Sequence, residues 1–175
     1  MKVILLTVLL LLLNLQANTL QPLRPYPILT EEPIVSNTVT RQKYIKTMKQ
    51  NNPFNIRVNA ANNWLGKVPT KNGFETFDTL EHGIRAGLKL LQNYYYTKRG
   101  LNTVTDIINV YAPPIENDTK NYIAVVCKYT GFEPNQVLDL TDKDTLIRLV
   151  EAMIFMEQGI WINPVNSTYN KYFKN

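Results

Sequence analysis

Apolar residues recur at helical spacing through most of the chain beyond residue 78. In "LEHGIRAGLKLLQNYYY", Leu80, Ile84, Leu88, Leu91 and Tyr95 fall on one face, and Asp78 with Glu81 forms a capping pattern ahead of them. Gly83 and Gly87, one turn apart, lower the propensity of this helix, so another element is expected to pack unusually close there. A second helix, "VTDIINVYA", starts after Thr103 with Asp106 three positions on and is stopped by Pro113 and Pro114. A third, "TKNYIAVVCKYT", is capped by Asn117 or Asp118 and ended by Gly131. The last begins at Thr141 or Asp142, runs to Glu157 and is closed by Gly159. Its Leu146, Ile147, Val150, Met153 and Ile154 make the broad apolar face of a central helix.

The pattern changes before residue 78. In "NNPFNIRVNAANNWLGKVPTKNGFETFD" there are six asparagines between positions 51 and 63, one tryptophan, and an Asn72-Gly73 pair between apolar stretches. Asn-Gly in that setting signals a hairpin. The chain is therefore expected to be mainly α (α+β), with a small β-hairpin lobe and an asparagine-rich loop. Asparagine supplies both a donor and an acceptor, and Trp64 supplies a flat apolar face, the two things a sugar requires. Equally, the asparagines can cap turns and Trp64 can fill the core.

The first 40 residues follow neither pattern. Val3 to Leu13 is an eleven-residue apolar run interrupted only by Thr7, preceded by Lys2. It is shorter than the roughly 20 residues of a free-standing membrane helix, so residues 1–18 read as a signal peptide or signal-anchor. Residues 19–40 contain Pro22, Pro25, Pro27 and Pro33 and read as an extended linker, with Glu31 and Glu32 solvated in it. The folded domain is expected over 41–162, with 163–175 as a tail.

Composition narrows the chemistry. A chain of 175 residues that is 45% hydrophobic can bury one ordinary core. The formal charge of +5 suits an anionic partner, but the basic residues are scattered and no basic helix is present, so no nucleic acid is expected. With one histidine, His82, and one cysteine, Cys127, too few soft ligands exist for a metal hydrolase. No metal or cofactor is expected, and no glycine loop for phosphate is present. Cys127 lies among apolar neighbours in "YIAVVCKY", where a small buried hydrophobe is the simpler reading and a thiol paired with His82 the sharper one. The sequons at Asn117 and Asn166 matter only in a eukaryotic secretory route.

One residue is misplaced by ordinary rules. Glu157, in "LVEAMIFMEQGIW", stands in the last turn of an apolar helix, whose C-terminus carries partial negative charge. Ile154, Phe155, Met156, Ile160 and Trp161 surround it in sequence, a setting that favours an uncharged carboxyl.

The stretches "NNPFNIRVNAANNWLGK" and "FETFDTLEHGIRAGLKLLQNYYYTKRGLNTVTDIINVYAPPIENDTKNYIAVVCKYTGF", with "LDLTDKD" and the closing "MEQG", resemble a family of bacteriophage and prophage virion proteins with a lysozyme-like domain. The resemblance covers about residues 50 to 159 and departs at Phe54, where the family pattern has Gly. The same pieces are similar to those of bacterial N-acetylglucosaminidases, whose catalytic helix ends Glu-Ser-Gly ahead of Asn-Leu-Phe-Gly-Ile-Lys. Here the Glu-x-Gly helix comes last, so the resemblance implies a circular permutation that sets the end of that helix beside "NNPFNIR".

The resemblance implies a lysozyme-like helical domain acting on peptidoglycan glycan strands, as a lytic transglycosylase or an N-acetylglucosaminidase or muramidase. Glu157 is then the catalytic acid. Should a second carboxylate be needed, Glu81, Glu75 and Glu116 are candidates in that order. Asn52, Asn55, Trp64, Glu116 and Tyr122 are expected to bind substrate. The implied location is a virion, its membrane if it has one, or the periplasm or membrane of a bacterial host, with other virion proteins as further partners. The competing expectation is a non-catalytic virion structural or wall-binding protein with the same shape.

Overall fold

The computed structural model describes residues 49–162 and 164–173. The apolar segment 1–18 and the linker 19–40 lie outside the described residues, as does the beginning of the expected domain. Among the described residues no helix is long and apolar enough to cross a membrane.

The described chain is mainly helical, with one two-stranded sheet. A short 3₁₀ turn, Lys49–Asn51, leads into the asparagine-rich loop, and strands β1 (Lys67–Val68) and β2 (Thr76–Phe77) follow. They pair antiparallel, Lys67 with Phe77 and Val68 with Thr76. Helices α1 (Leu80–Lys89), α2 (Val104–Tyr111), α3 (Thr119–Thr130), α4 (Lys143–Gln158) and α5 (Pro164–Tyr172) complete the order.

The small β lobe is wider than a tight hairpin. Gly73, at φ +80°, turns the chain within a long connection, and the returning segment pairs with the asparagine loop. Val58 N donates to Gly73 O (2.9 Å), Glu75 N donates to Ile56 O (2.8 Å), and Arg57 faces Phe74. Gln50 Nε2 fastens the connection by donating to Asn72 Oδ1 (2.7 Å) and Thr76 Oγ1 (2.9 Å).

The helix ends follow local chemistry. Asp118 and Asp142 cap α3 and α4, accepting from Asn121 N and Thr145 N, and Thr103 caps α2. Gly131 and Gly159 take left-handed conformations past the ends of α3 and α4. The expected cap Asp78 is displaced by one residue. Thr79, in extended conformation, accepts from His82 N, while the Asp78 carboxylate bonds His82 Nδ1 at 2.6 Å. Beyond Lys89 the helix continues as a π-helical segment, Leu90–Thr97, with Lys98 N donating to Asn93 O five residues back.

Helix α4 is the centre of the core. Its Leu146, Leu149, Val150, Met153 and Ile154 are buried in one apolar cluster with Ile84 and Leu88 of α1 and Ile107 and Ile108 of α2. Each such side chain contributes about 1.5–3 kcal/mol on burial. Helix α3 packs on α4, and α5 packs across α1. The stretch expected as a tail is thus part of the fold: Val165 is buried in the core, Lys171 pairs with Glu81, and Tyr172 reaches His82.

The two helical glycines show why they are glycines. A Cβ on Gly83 meets the Asn51 carbonyl oxygen at 1.8 Å, and one on Gly87 meets the Phe54 ring at 2.1 Å. The asparagine loop is therefore pressed against α1, as the glycine spacing predicts.

Candidate active site

Pressing the loop onto α1 leaves a cleft of about 630 Å³ between it and the α2–α3 connection. Phe54, Asn55, Arg57, Asn59 and Asn62 line one side; Tyr111, Pro113, Glu116 and Asn117 line the other; Tyr95 and Glu157 also reach it. Each lining segment has a local reason for its shape. Asn52 turns the loop from inside: its Nδ2 donates to Ile56 O and Glu75 O, and its Oδ1 accepts from Ile56 N. Asn55 then adopts φ +47°, a left-handed conformation that asparagine tolerates better than most residues. Gly is not required at position 54, because the positive φ falls on Asn51 and Asn55, and the Phe54 ring occupies the space that Gly87 vacates.

The end of α4 is tied to this loop. Gln158 Nε2 donates to Pro53 O at 3.0 Å, and Asn55 Nδ2 donates to Glu157 Oε2 at 2.7 Å. From the other side, Tyr122 Oη donates to Glu157 Oε1 at 2.9 Å. Glu157 is thus held by neutral donors, with no cation among these contacts. Tyr111 stands beside this pair, edge-on to both Phe54 and Tyr122, and its hydroxyl donates to Phe54 O.

Burial pushes the phenols of Tyr111 and Tyr122 well above the ordinary value of 10; next in size come Tyr122 for the first and Glu157 for the second. Burial also raises the Tyr95 phenol, partly opposed by Arg99. All three are neutral hydroxyls across the physiological range, able to donate without contributing charge.

Glu157, Asn55, Tyr122 and Glu116 are brought together around the cleft. Other expected site residues are placed elsewhere. Asn52 is 2% exposed and spends its side-chain amide on loop backbone. Trp64 is buried edge-on against Tyr94, 5.6 Å between centroids, and fills the core instead of facing sugar. Glu81 sits in the first turn of α1, where its charge suits the helix dipole, and pairs with Lys171 outside the cleft. Glu75 is fully buried, its Oε1 bound by Lys67 Nζ at 2.9 Å. The apolar surroundings of Glu157 are Phe54 and Tyr111, because Phe155 and Trp161 stack on each other and meet Tyr129 away from the cleft.

Cys127 and His82 are not a pair. Burial raises the thiol to about 11, and His82 is engaged by Asp78 and Tyr172. Sequence reasoning missed Tyr111, Tyr95 and Arg57. Tyr111 had a signal, an aromatic at the end of an amphipathic helix just before Pro113 and Pro114; Arg57 had none beyond its place in the asparagine loop.

The fold and site define a small, mainly helical domain whose cleft centres on one glutamate, set between an asparagine-rich loop and a tyrosine pair. No protein-family model matches the chain. It is 40% identical over 116 residues to Protein P5 of Pseudoalteromonas phage PM2, covering 64% of this chain and 70% of that protein. The chain belongs to the family of that phage protein.

Proposed function

We propose that this phage protein is a peptidoglycan-degrading glycosidase with a lysozyme-like domain, carried by the virion and tethered to a membrane through its N-terminal apolar segment. The observation that carries the reading is Glu157, a carboxylate in the last turn of a buried helix, facing a 630 Å³ cleft and held by Asn55 and Tyr122 without a cation. Cleavage of a glycosidic bond starts with proton delivery to the leaving oxygen by such a group. Asn55, Asn59, Asn62 and Asn117 supply donors and acceptors for sugar hydroxyls, and Tyr95 and Tyr111 add aromatic surface to the lining.

The reaction favoured is the transglycosylase type. Glu116 is the other carboxylate lining the cleft, and it is paired with Arg57. A single acid suffices when the sugar attacks itself. Glu157 gives its proton to the glycosidic oxygen as the bond to the anomeric carbon breaks. The sugar's own 6-hydroxyl then attacks that carbon and returns its proton to Glu157, closing an anhydro ring with no net use of water. In the circular-permutation reading, α4 takes the place of the catalytic helix that precedes the Asn-rich loop in the bacterial enzymes.

The alternative is a non-catalytic virion structural or wall-binding protein. One observation favours it: both Glu157 oxygens already accept hydrogen bonds, so neither is idle. Lysis of purified peptidoglycan by the full chain, compared with Glu157→Gln, decides between them. Lysis lost in the variant supports the acid, lysis unaffected refutes it, and binding without lysis by either protein favours the structural reading. Mass spectrometry of the fragments separates anhydro from hydrolysed ends.

A further inference from the structure

Arg57 is the one cationic side chain that lines the cleft among the described residues, and it is spent on an internal carboxylate. It forms a direct ion pair with Glu116 from the opposite lip, joining the asparagine loop to the α2–α3 connection. Both side chains are largely exposed, 71% and 53%, so the pair is open to exchange with a competing anion. The two sides differ in firmness. Arg57 is in a paired segment, opposite Phe74, and its guanidinium lies over the Phe74 ring at 5.8 Å. Glu116 sits in a connection beside Ile115, which is 89% exposed, in a turn closed by Glu116 N and Asn117 Nδ2 donating to Pro113 O at 3.1 and 3.2 Å.

We propose that Arg57 is the anchor of a carboxylate subsite at the mouth of the cleft, and that Glu116 occupies it as an internal stand-in until an anionic substituent of the glycan replaces it. The inference rests on the glycan-cleaving reading of the same cleft. In peptidoglycan every second sugar carries a lactyl ether extended by an acid-bearing peptide, so the strand brings carboxylates beside its sugar rings. Arg57 lies two residues after Asn55, which holds Glu157, so their backbones are at most about 7 Å apart. A peptide carboxylate carried by a sugar next to the bond being cut is therefore within reach of the guanidinium, which binds such groups through two parallel N–H donors. The subsite selects peptide-substituted glycan over neutral polymers.

A structural brace and an occupied subsite make opposite predictions for the two partners. Removing either member of a brace weakens the same thing. Removing the stand-in frees the anchor, so Glu116→Gln strengthens binding of the charged glycan whereas Arg57→Ala weakens it. The test is a sedimentation assay with the full chain in mild detergent. Wild type, Arg57→Ala, Arg57→Lys and Glu116→Gln are compared on intact peptidoglycan and on chitin, an uncharged N-acetylglucosamine polymer with neither lactyl ether nor peptide, with far-UV melts for folding. On intact material Arg57→Ala is expected to lose about fivefold in affinity or more, Arg57→Lys to recover part of that, and Glu116→Gln to gain severalfold. On chitin all four bind alike. Parallel losses in Arg57→Ala and Glu116→Gln, or equal effects on both materials, overturn the subsite while leaving the glycan reading intact. Failure of folded wild type to bind either material overturns the glycan reading and the subsite with it.

Discussion

Two glutamates sit at the edges of the asparagine loop and have opposite fates. Glu75, in the β lobe, is fully buried with Lys67 bound to one oxygen, and it does not line the cleft. Glu157, at the end of α4, faces the cleft and is held by an amide and a phenol. A buried carboxylate with its own cation is committed: its charge is compensated, and removing the partner leaves an uncompensated charge in the interior. A carboxyl group held by neutral donors at a cavity has no cation to give up before it meets whatever enters. The difference marks which acid holds the molecule together and which can act on something else.

Four measurements break or sharpen this contrast. The largest effect is expected for Glu157→Gln, which keeps the side-chain shape: lysis of peptidoglycan, followed by turbidity, falls by about 10²–10⁴-fold, while the folding stability changes by less than about 1 kcal/mol. A large loss of stability there makes Glu157 a structural acid like Glu75. Lys67→Met should do the reverse, costing about 2–3 kcal/mol in urea denaturation because Glu75 is stranded, with lysis per folded molecule retained. If stability is unchanged, the buried pair is not what holds the β lobe.

Gly87→Ala probes the wall between the regions. Its Cβ overlaps the Phe54 ring, so a cost of about 1–3 kcal/mol is expected together with weakened lysis, because Phe54 precedes Asn55. Undisturbed activity at lowered stability separates the cleft wall from the catalytic geometry. The smallest effect is expected for Glu81→Gln, at an exposed pair between α1 and α5, with lysis unchanged and Tm only slightly lowered at neutral pH. The Lys171 ammonium is held above its ordinary 10.5, chiefly by the hydrogen bond to Glu81. A raised basic group contributes its stability fully below about pH 10.5 and loses it as pH climbs beyond, so wild type and variant should converge in thermal melts only in strong alkali.

The sequence carried much of the helical frame. Periodicity and caps located α2, α3 and α4, and Gly83 and Gly87 announced a close neighbour because no other residue fits there. Burial of polar groups was not legible. Asn52 and Trp64 have the same composition whether they serve a ligand or a loop interior, and only the partners supplied by Ile56, Glu75 and Tyr94 decide. The π segment was hidden because three successive tyrosines, Tyr94 to Tyr96, satisfy a helix of either period. Helix α5 escaped notice because "PVNSTYNKY" offers one aliphatic residue; Thr168 and Tyr169 do much of its packing.

The contacts from Asn55 to Glu157 and from Gln158 to Pro53 join residues 102 and 105 positions apart. Closing a loop of that length costs on the order of 4 kcal/mol of chain entropy beyond a constant, and nothing local repays it in advance. The cleft is therefore assembled late in synthesis, only after α4 has been made. Until α4 has left the ribosome and docked, the loop that will hold Glu157 has nothing to hold. A chain stalled before residue 157 carries the asparagines and the tyrosines of the cleft, but neither the acid nor the contacts that fix the loop around it.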